Sequence, residues 1–230
     1  MQQTSGHTIK AFDDDIERLR ALISQMGGLA EHAIGEAMRC LVERDTAGAE
    51  KIVENDKKLD ALEIETERRA VQLIALRAPM AGDLRDVVAA LKISGVVERI
   101  GDYAKNIARR VRQLDSGNKI EPLSLLPEMA RIATSMVHDV LDAFVERDAE
   151  AAVRVCQRDQ AVDDFYDSIF RTLLTHMMEN PQNIGQAAHL LFVAKNLERV
   201  GDHATNIAEM VYFAATGKHM VDKGDKKVAE

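Results

Sequence analysis

The sequence predicts an all-α protein: two tandem, pseudo-symmetric three-helix bundles made of six long antiparallel helices. Three observations carry that prediction. Ala, Leu, Ile, Val, Glu, Arg, Lys and Met dominate a chain of 230 residues with four Pro and no Trp, and the sustained Val/Ile/Thr alternation of strands is missing. Apolar residues recur at three- and four-residue spacing over stretches far longer than a strand. One phrase is also used twice. Residues 98–108 read ERIGDYAKNIA and residues 198–208 read ERVGDHATNIA, a period that makes each half of the chain one repeat of three helices.

The first helix is expected from about Phe12 to Glu43, after a disordered start over residues 1–11. Its seam is Ile16, Leu19, Ile23, Met26, Ala30, Ala33, Ala37 and Cys40, widened by Leu22, Leu29 and Leu41. Asp13, Asp14 and Asp15 read as a helix start, where the macrodipole favours negative charge. After a break at Glu43–Asp45, Asp45 caps a second helix that reaches about Leu76 and contains ENDKKLDALE. Pro79 interrupts, and Gly82–Asp83 restarts a third helix that runs to about Leu114. The stretch DSGNKIEP has the composition of a connector, which sets a linker at 115–124 between bundles spanning 12–114 and 125–216.

The second half repeats the plan. A fourth helix from about Leu125 to Glu146 ends in FVERD, echoing LVERD of the first half. A fifth starts near Asp148 and contains QRDQAVDDFY, the counterpart of ENDKKLDALE. Asn180–Pro181 breaks it, with Pro suited to a first helical turn, and a sixth runs from about Asn183 to Thr216. Residues 217–230 are polar and charged and are expected to form a flexible tail.

The formal charge of −8 opposes binding to nucleic acid or to anionic lipid, both of which require a basic patch. No apolar leader and no run long enough to span a bilayer is visible. Cys40 and Cys156 are isolated thiols, not a disulfide framework, and point to a reducing, cytoplasmic setting.

The repeated phrase sets Glu98 and Asp102, and again Glu198 and Asp202, four residues apart. That spacing stacks them on one stripe of a helix, with Asn106 and Asn206 one turn further on. Asp56 and Asp60, and Asp159 and Asp163, have the same spacing on the preceding helices. Asp60 and Glu98 lie equally far either side of Pro79, as do Asp56 and Asp102. Asp163 with Glu198, and Asp159 with Asp202, are likewise balanced about the Asn180–Pro181 junction. Antiparallel hairpins therefore bring four carboxylates level in each repeat. Such groups share protons, stay wet or are neutralised by a cation. Oxygen donors without paired Cys suit magnesium, calcium, manganese or iron. Pairing with Lys57, Lys58, Arg99 and Lys105 on a solvated face is the other reading. Gly101 and Gly201 imply a close approach, by a packed helix or by a cation. His203 adjoins Asp202 but is turned about 100° from it on a helix, away from a ligand position.

ALRAPMAGDLR, ALKI and ERIGDYAKNIA, together with HLLFVAKNLERVGDHATNIAE, closely resemble the PhoU family over nearly the whole chain, from about Phe12 to Gly217. One departure is Ala78, where the family often has Gln. The resemblance implies a cytoplasmic, all-helical regulator of phosphate uptake that represses the phosphate-starvation regulon. It would act as an adaptor between the transporter ATPase (PstB) and a sensor histidine kinase (PhoR), often as a homodimer. It also implies multinuclear metal clusters (iron, manganese, magnesium or zinc) held by Glu98, Asp102, Glu198 and Asp202, with Asp56, Asp60, Asp159 and Asp163 facing them. A carboxylate-bridged oxidase would require Glu-x-x-His pairs on bundle helices, and neither acidic motif has one. No phosphate-cradling loop or nucleophile motif is present. An enzyme is therefore not expected. The remaining alternative is a metal-independent adaptor that binds partners through its acidic stripes.

Overall fold

The computed structural model describes residues 4–114 and 120–220, with side chains from Phe12 onward apart from Glu121 and Pro122. Among the described residues there are seven α-helices and no strand. They are α1 (Thr4–Glu43), α2 (Thr46–Asn55), α3 (Lys57–Arg77), α4 (Ala81–Leu114), α5 (Leu126–Glu146), α6 (Ala149–Glu179) and α7 (Ile184–Thr216).

Three expectations need correction. α1 begins at Thr4, not Phe12, so the start expected to be disordered is helical from that residue. Nothing between Thr4 and Phe12 breaks a helix except one tolerated Gly. Consequently Asp13, Asp14 and Asp15 lie inside α1 and do not start it. Asp15 instead pairs with Arg77 of α3 at 3.3 Å and with Arg18 at 3.7 Å. Third, the expected second helix is interrupted at Asp56, which separates α2 from α3 while keeping helical φ and ψ of −53° and −35°. Asn55 and Asp56 carry short polar side chains that compete with helical backbone bonds. The linker residues 115–119 and the tail from residue 221 lie outside the described residues. Within the rest of the linker, Glu121–Leu125 forms a 3₁₀ turn that leads into α5.

The turn chemistry repeats as the ERD echo implies. Arg44 and Arg147 take left-handed φ values of 61° and 58°. Asp45 then accepts from the Gly48 amide, and Asp148 from the amides of Glu150 and Ala151. The Asn180 side chain accepts from the Gln182 amide over a 3₁₀ turn that has Pro181 in its first position. Exposed Ala78 ends α3 with φ 45° and ψ 56°, a left-handed conformation that costs a Cβ-bearing residue about 1–2 kcal/mol. Ala78→Gly is therefore expected to stabilise the protein by about 0.5–1 kcal/mol after allowing for glycine's freedom when unfolded. A shift of the urea midpoint to higher concentration checks it.

Packing assembles α1, α2/α3 and α4 into one bundle and α5, α6 and α7 into a second, joined through α4 on α7 and α1 on α5. The buried apolar side chains form one continuous cluster across both repeats. α4 and α7 run antiparallel. Arg85 near the start of α4 donates to the Ala214 carbonyl near the end of α7, and halfway along Tyr103 meets His203. Gly27 makes the notch between α1 and α5, because a Cβ there would lie 2.2 Å from Leu141 Cδ1. Buried Asp86 ties the repeats together, pairing with Arg20 of α1 at 3.1 Å and with Arg147 of the α5–α6 turn at 3.3 Å. Burial still pushes its carboxyl above the ordinary range.

Candidate metal centres

Both hairpins close in the register that their turns imply. In the first, Glu63 Oε1 sits against Gly95, 3.2 Å from where a Cβ would be, and Leu59 and Asp56 approach Gly101. In the second, Asp159 Oδ1 and Val162 lie against Gly201, and Lys195 Nζ stands 5.3 Å from the centre of the Tyr166 ring. All eight predicted carboxylates thus fall into two groups of four, one at the α3–α4 hairpin and one at the α6–α7 hairpin.

The second group is the more convergent. Asp163, Glu198 and Asp202 each offer an oxygen within 4.8 Å of the others'. Asp159 Oδ1 and Glu198 Oε2 are buried with no hydrogen-bond partner. Burial, followed by repulsion from Asp163, Asp202 and Glu198, pushes the Asp159 carboxyl up to about 6. Asp163 and Asp202 are raised by burial first and then by Glu198. Among the described residues one cation touches the group: Lys195 donates to Glu198 Oε1 at 2.5 Å.

The first group is arranged differently. Lys105 reaches in and donates to both Asp56 Oδ2 and Asp102 Oδ1. Asp56 caps nothing, although it precedes α3, because its carboxylate is turned to that ammonium. Burial, then Asp102, Glu63, Asp60 and Asp56, push Glu98 up to about 7. Glu63 is a fifth carboxylate that sequence reasoning missed. It lies one turn beyond Asp60 and opposite Gly95, so the hairpin register would have found it. Comparison of the repeats hid it, because its counterpart across the register is Tyr166. A cleft of about 420 Å³ between α1 and α2 reaches Asp56 and Gly101 and is also lined by His32, Lys51 and Lys58.

The glycines have distinct causes. At Gly101 a Cβ would fall 2.4 Å from Leu59 Cδ1, so close helix packing explains it. At Gly201 the nearest atoms are a carboxylate oxygen and a valine, each at 3.3 Å. His203 faces away from the carboxylates. Its ring meets Tyr103 edge-on at 5.2 Å, and burial, then Arg99, holds it below the ordinary histidine range. Among the described residues no hydrogen bond joins Asn106 or Asn206 to either group, and Asn206 is exposed.

Raised carboxylates make stability fall with pH. Folded protein holds protons on Glu98 and Asp159 that the unfolded chain has released. That stabilisation is complete below the unfolded carboxylate range and is lost as pH rises through about 6 and about 7. Metal-stripped protein is therefore expected to resist urea better near about pH 5.5 than near about pH 8. A flat or opposite profile would show that burial and repulsion do not raise these carboxyls.

The PhoU domain family model matches residues 23–111 and 126–211, one match per bundle. The chain is 55% identical over 218 residues to a phosphate-specific transport system accessory protein PhoU homolog of Zymomonas mobilis, covering 95% of this chain and 92% of that one. It is 45% identical to the homolog of Caulobacter vibrioides, covering 96% of each. In three dimensions it resembles the crystal structure of PhoU from Pseudomonas aeruginosa, with a TM-score of 0.86, 35% identity, and coverage of 90% of this chain and 100% of that one. It also resembles the phosphate transport system regulatory protein PhoU from Streptococcus pneumoniae, at a TM-score of 0.85 and 27% identity, covering 92% and 100%.

Proposed function

The chain belongs to the PhoU family, and from that membership we propose that it is an accessory protein of a phosphate-specific transport system. In this role it restrains phosphate uptake and the phosphate-starvation response. It works without catalysis, as a cytoplasmic adaptor between the transporter ATPase (PstB) and the sensor histidine kinase (PhoR). No helix among the described residues is long and apolar enough to cross a membrane, so the contact with a transporter runs through protein surfaces.

The two carboxylate groups are its metal centres. Asp56, Asp60, Glu98 and Asp102 hold one, and Asp159, Asp163, Glu198 and Asp202 hold the other. The observation that carries this reading is the pair of buried, unpartnered oxygens on Asp159 and Glu198 beside three converging carboxylates. Such oxygens are costly unless a cation meets them. Oxygen-only donors suit hard divalent or multinuclear centres of iron, manganese or magnesium better than a thiolate-type site. When bound, the metal supplies positive charge that pins α3 to α4 and α6 to α7.

Elemental analysis of protein purified without chelator tests this directly. Bound metal is expected in the wild type and lost when Asp56, Asp102, Asp159 and Asp202 are all changed to Ala. Unchanged metal content in that variant would sink the assignment.

A second reading is favoured by one observation, the Lys105 ammonium between Asp56 and Asp102. In it the acidic stripes are balanced by lysines and bind a partner without metal. Capture of the ATPase or kinase with and without chelator separates the two, since only a metal-dependent adaptor loses its partner.

A further inference from the structure

The two clusters occupy equivalent places in the two repeats, yet their lysines do not. Three residues after Asp102 stands Lys105, and three after Asp202 stands Thr205. The Lys105 side chain is only 18% exposed, and its ammonium bridges Asp56 and Asp102 across the hairpin. The Thr205 hydroxyl turns to its own helix and donates to the Asp202 carbonyl at 2.7 Å, leaving the Asp202 carboxylate without that partner. The second repeat has its lysine elsewhere, at Lys195 where the first has Gly95. That side chain is 42% exposed and touches a single carboxylate, Glu198.

The consequences appear in two independent features. Among the described residues, every buried carboxylate oxygen left without a hydrogen bond belongs to the second cluster. The one group of three carboxylates among those residues close enough to share a cation is also there. The first cluster is already partly neutralised from within.

Accepting the metal-centre reading, we infer that Lys105 is a built-in counter-ion that makes the two sites unequal. The second cluster takes metal with only the exposed Lys195 contact on Glu198 to give up, whereas metal entering the first must displace the Lys105 ammonium from both Asp56 and Asp102. Displacement sacrifices two charge-assisted hydrogen bonds, so the first cluster fills at higher metal concentration. The chain therefore carries a tight site and a responsive one. In the metal-free protein Lys105 takes the place of the ion and holds the α3–α4 hairpin closed.

Calorimetric titration of chelator-stripped protein with Mn²⁺ tests this, and melting curves recorded with and without Mn²⁺ accompany it. Wild type is expected to show two affinity classes, the tighter of which Asp202→Asn abolishes. Lys105→Thr installs the residue of the other repeat and is expected to tighten the weaker class by about tenfold or more, the equivalent of one charged hydrogen bond. The reciprocal Thr205→Lys weakens the tighter class. Lys105→Thr also melts lower than wild type when stripped and recovers when saturated with Mn²⁺. A structural lysine would lower both melts equally.

A single class in wild type, or a weaker class that Lys105→Thr leaves unchanged or loosens, overturns the inference. Should Lys105→Thr not fold, Thr205→Lys decides alone, and an unaltered tight class refutes the proposal. Absence of any Mn²⁺ binding by wild type would instead overturn the metal-centre reading itself.

Discussion

Filling the tighter site of the metal-stripped protein with Mn²⁺ is expected to raise its melting temperature by roughly 10 °C. The size follows from two quantities. A ligand at about a thousand times its dissociation constant stabilises the folded state by about 4 kcal/mol per site. In a chain of this length each kcal/mol moves the melt by about 2–4 °C. The ion removes a specific liability: Asp159, Asp163, Glu198 and Asp202 crowd together, with buried oxygens that nothing donates to. Unfolding releases that repulsion, and binding neutralises it. The response is expected to be larger near about pH 8 than near about pH 6, because ligands must lose their protons to bind and Glu98 and Asp159 still hold some at the lower pH. Changing Glu198 to Gln together with Asp202 to Asn has opposite effects under the two conditions. The stripped protein melts higher because repulsion is gone, and the shift on adding Mn²⁺ shrinks. A melt that ignores Mn²⁺, or a variant that melts lower in both states, would contradict the electrostatic account.

A chain cut in the linker is expected to lose independent folding of its halves as monomers. In sequence each half reads as a three-helix bundle. α4, however, is buried on more than one flank. Ile100 and Gly101, and again Ile107 and Ala108, are adjacent buried pairs that make its buried stripe wider than a narrow two-helix seam. α1, α3 and α7 all pack on α4. Removing the second repeat uncovers the α7-facing side of α4 and the notch at Gly27 that receives Leu141. Each large apolar side chain so exposed forfeits about 1.5–3 kcal/mol, against a total stability of about 5–15 kcal/mol for a folded domain. It also separates Asp86 from Arg147. The first half alone is therefore expected to be unfolded, aggregated, or paired with a second copy in place of the missing repeat. Circular dichroism and sedimentation equilibrium distinguish these outcomes. A stable, monomeric half-chain would show that the contact between bundles is dispensable. By the same reasoning the intact chain melts in one transition, not two.

Much of the site was legible in the sequence because it depends on two regular quantities, the helical period and the length of an antiparallel hairpin. Counting outward from Pro79 and from the Asn180–Pro181 junction placed Asp56 opposite Asp102 and Asp159 opposite Asp202, and the structure keeps that register. What counting could not supply was the reach of long side chains. Lys105 lies one turn from Asp102, but whether its ammonium folds into the cluster or out to water depends on how deeply Asp56 is buried. Glu63 escapes a comparison of the repeats by identity, because its counterpart is Tyr166. Asp13, Asp14 and Asp15 resembled a helix start because charge preference is local, whereas where α1 begins depends on what precedes them.

The sequence by itself determined the all-helical class, the Asp45 and Asp148 caps, the twofold repetition and the stacking of the acidic pairs. These are consequences of local spacing and turn chemistry, which a chain carries wherever it folds. Only the tertiary structure decided that the repeats share one core, that Gly101 makes room for Leu59, and that the two clusters differ. The second cluster is left with buried oxygens lacking donors, and the first holds its own ammonium. Those outcomes depend on burial and on distances between side chains far apart in sequence. Burial sets the cost of leaving a charge unpaired, and it exists only once the helices have packed.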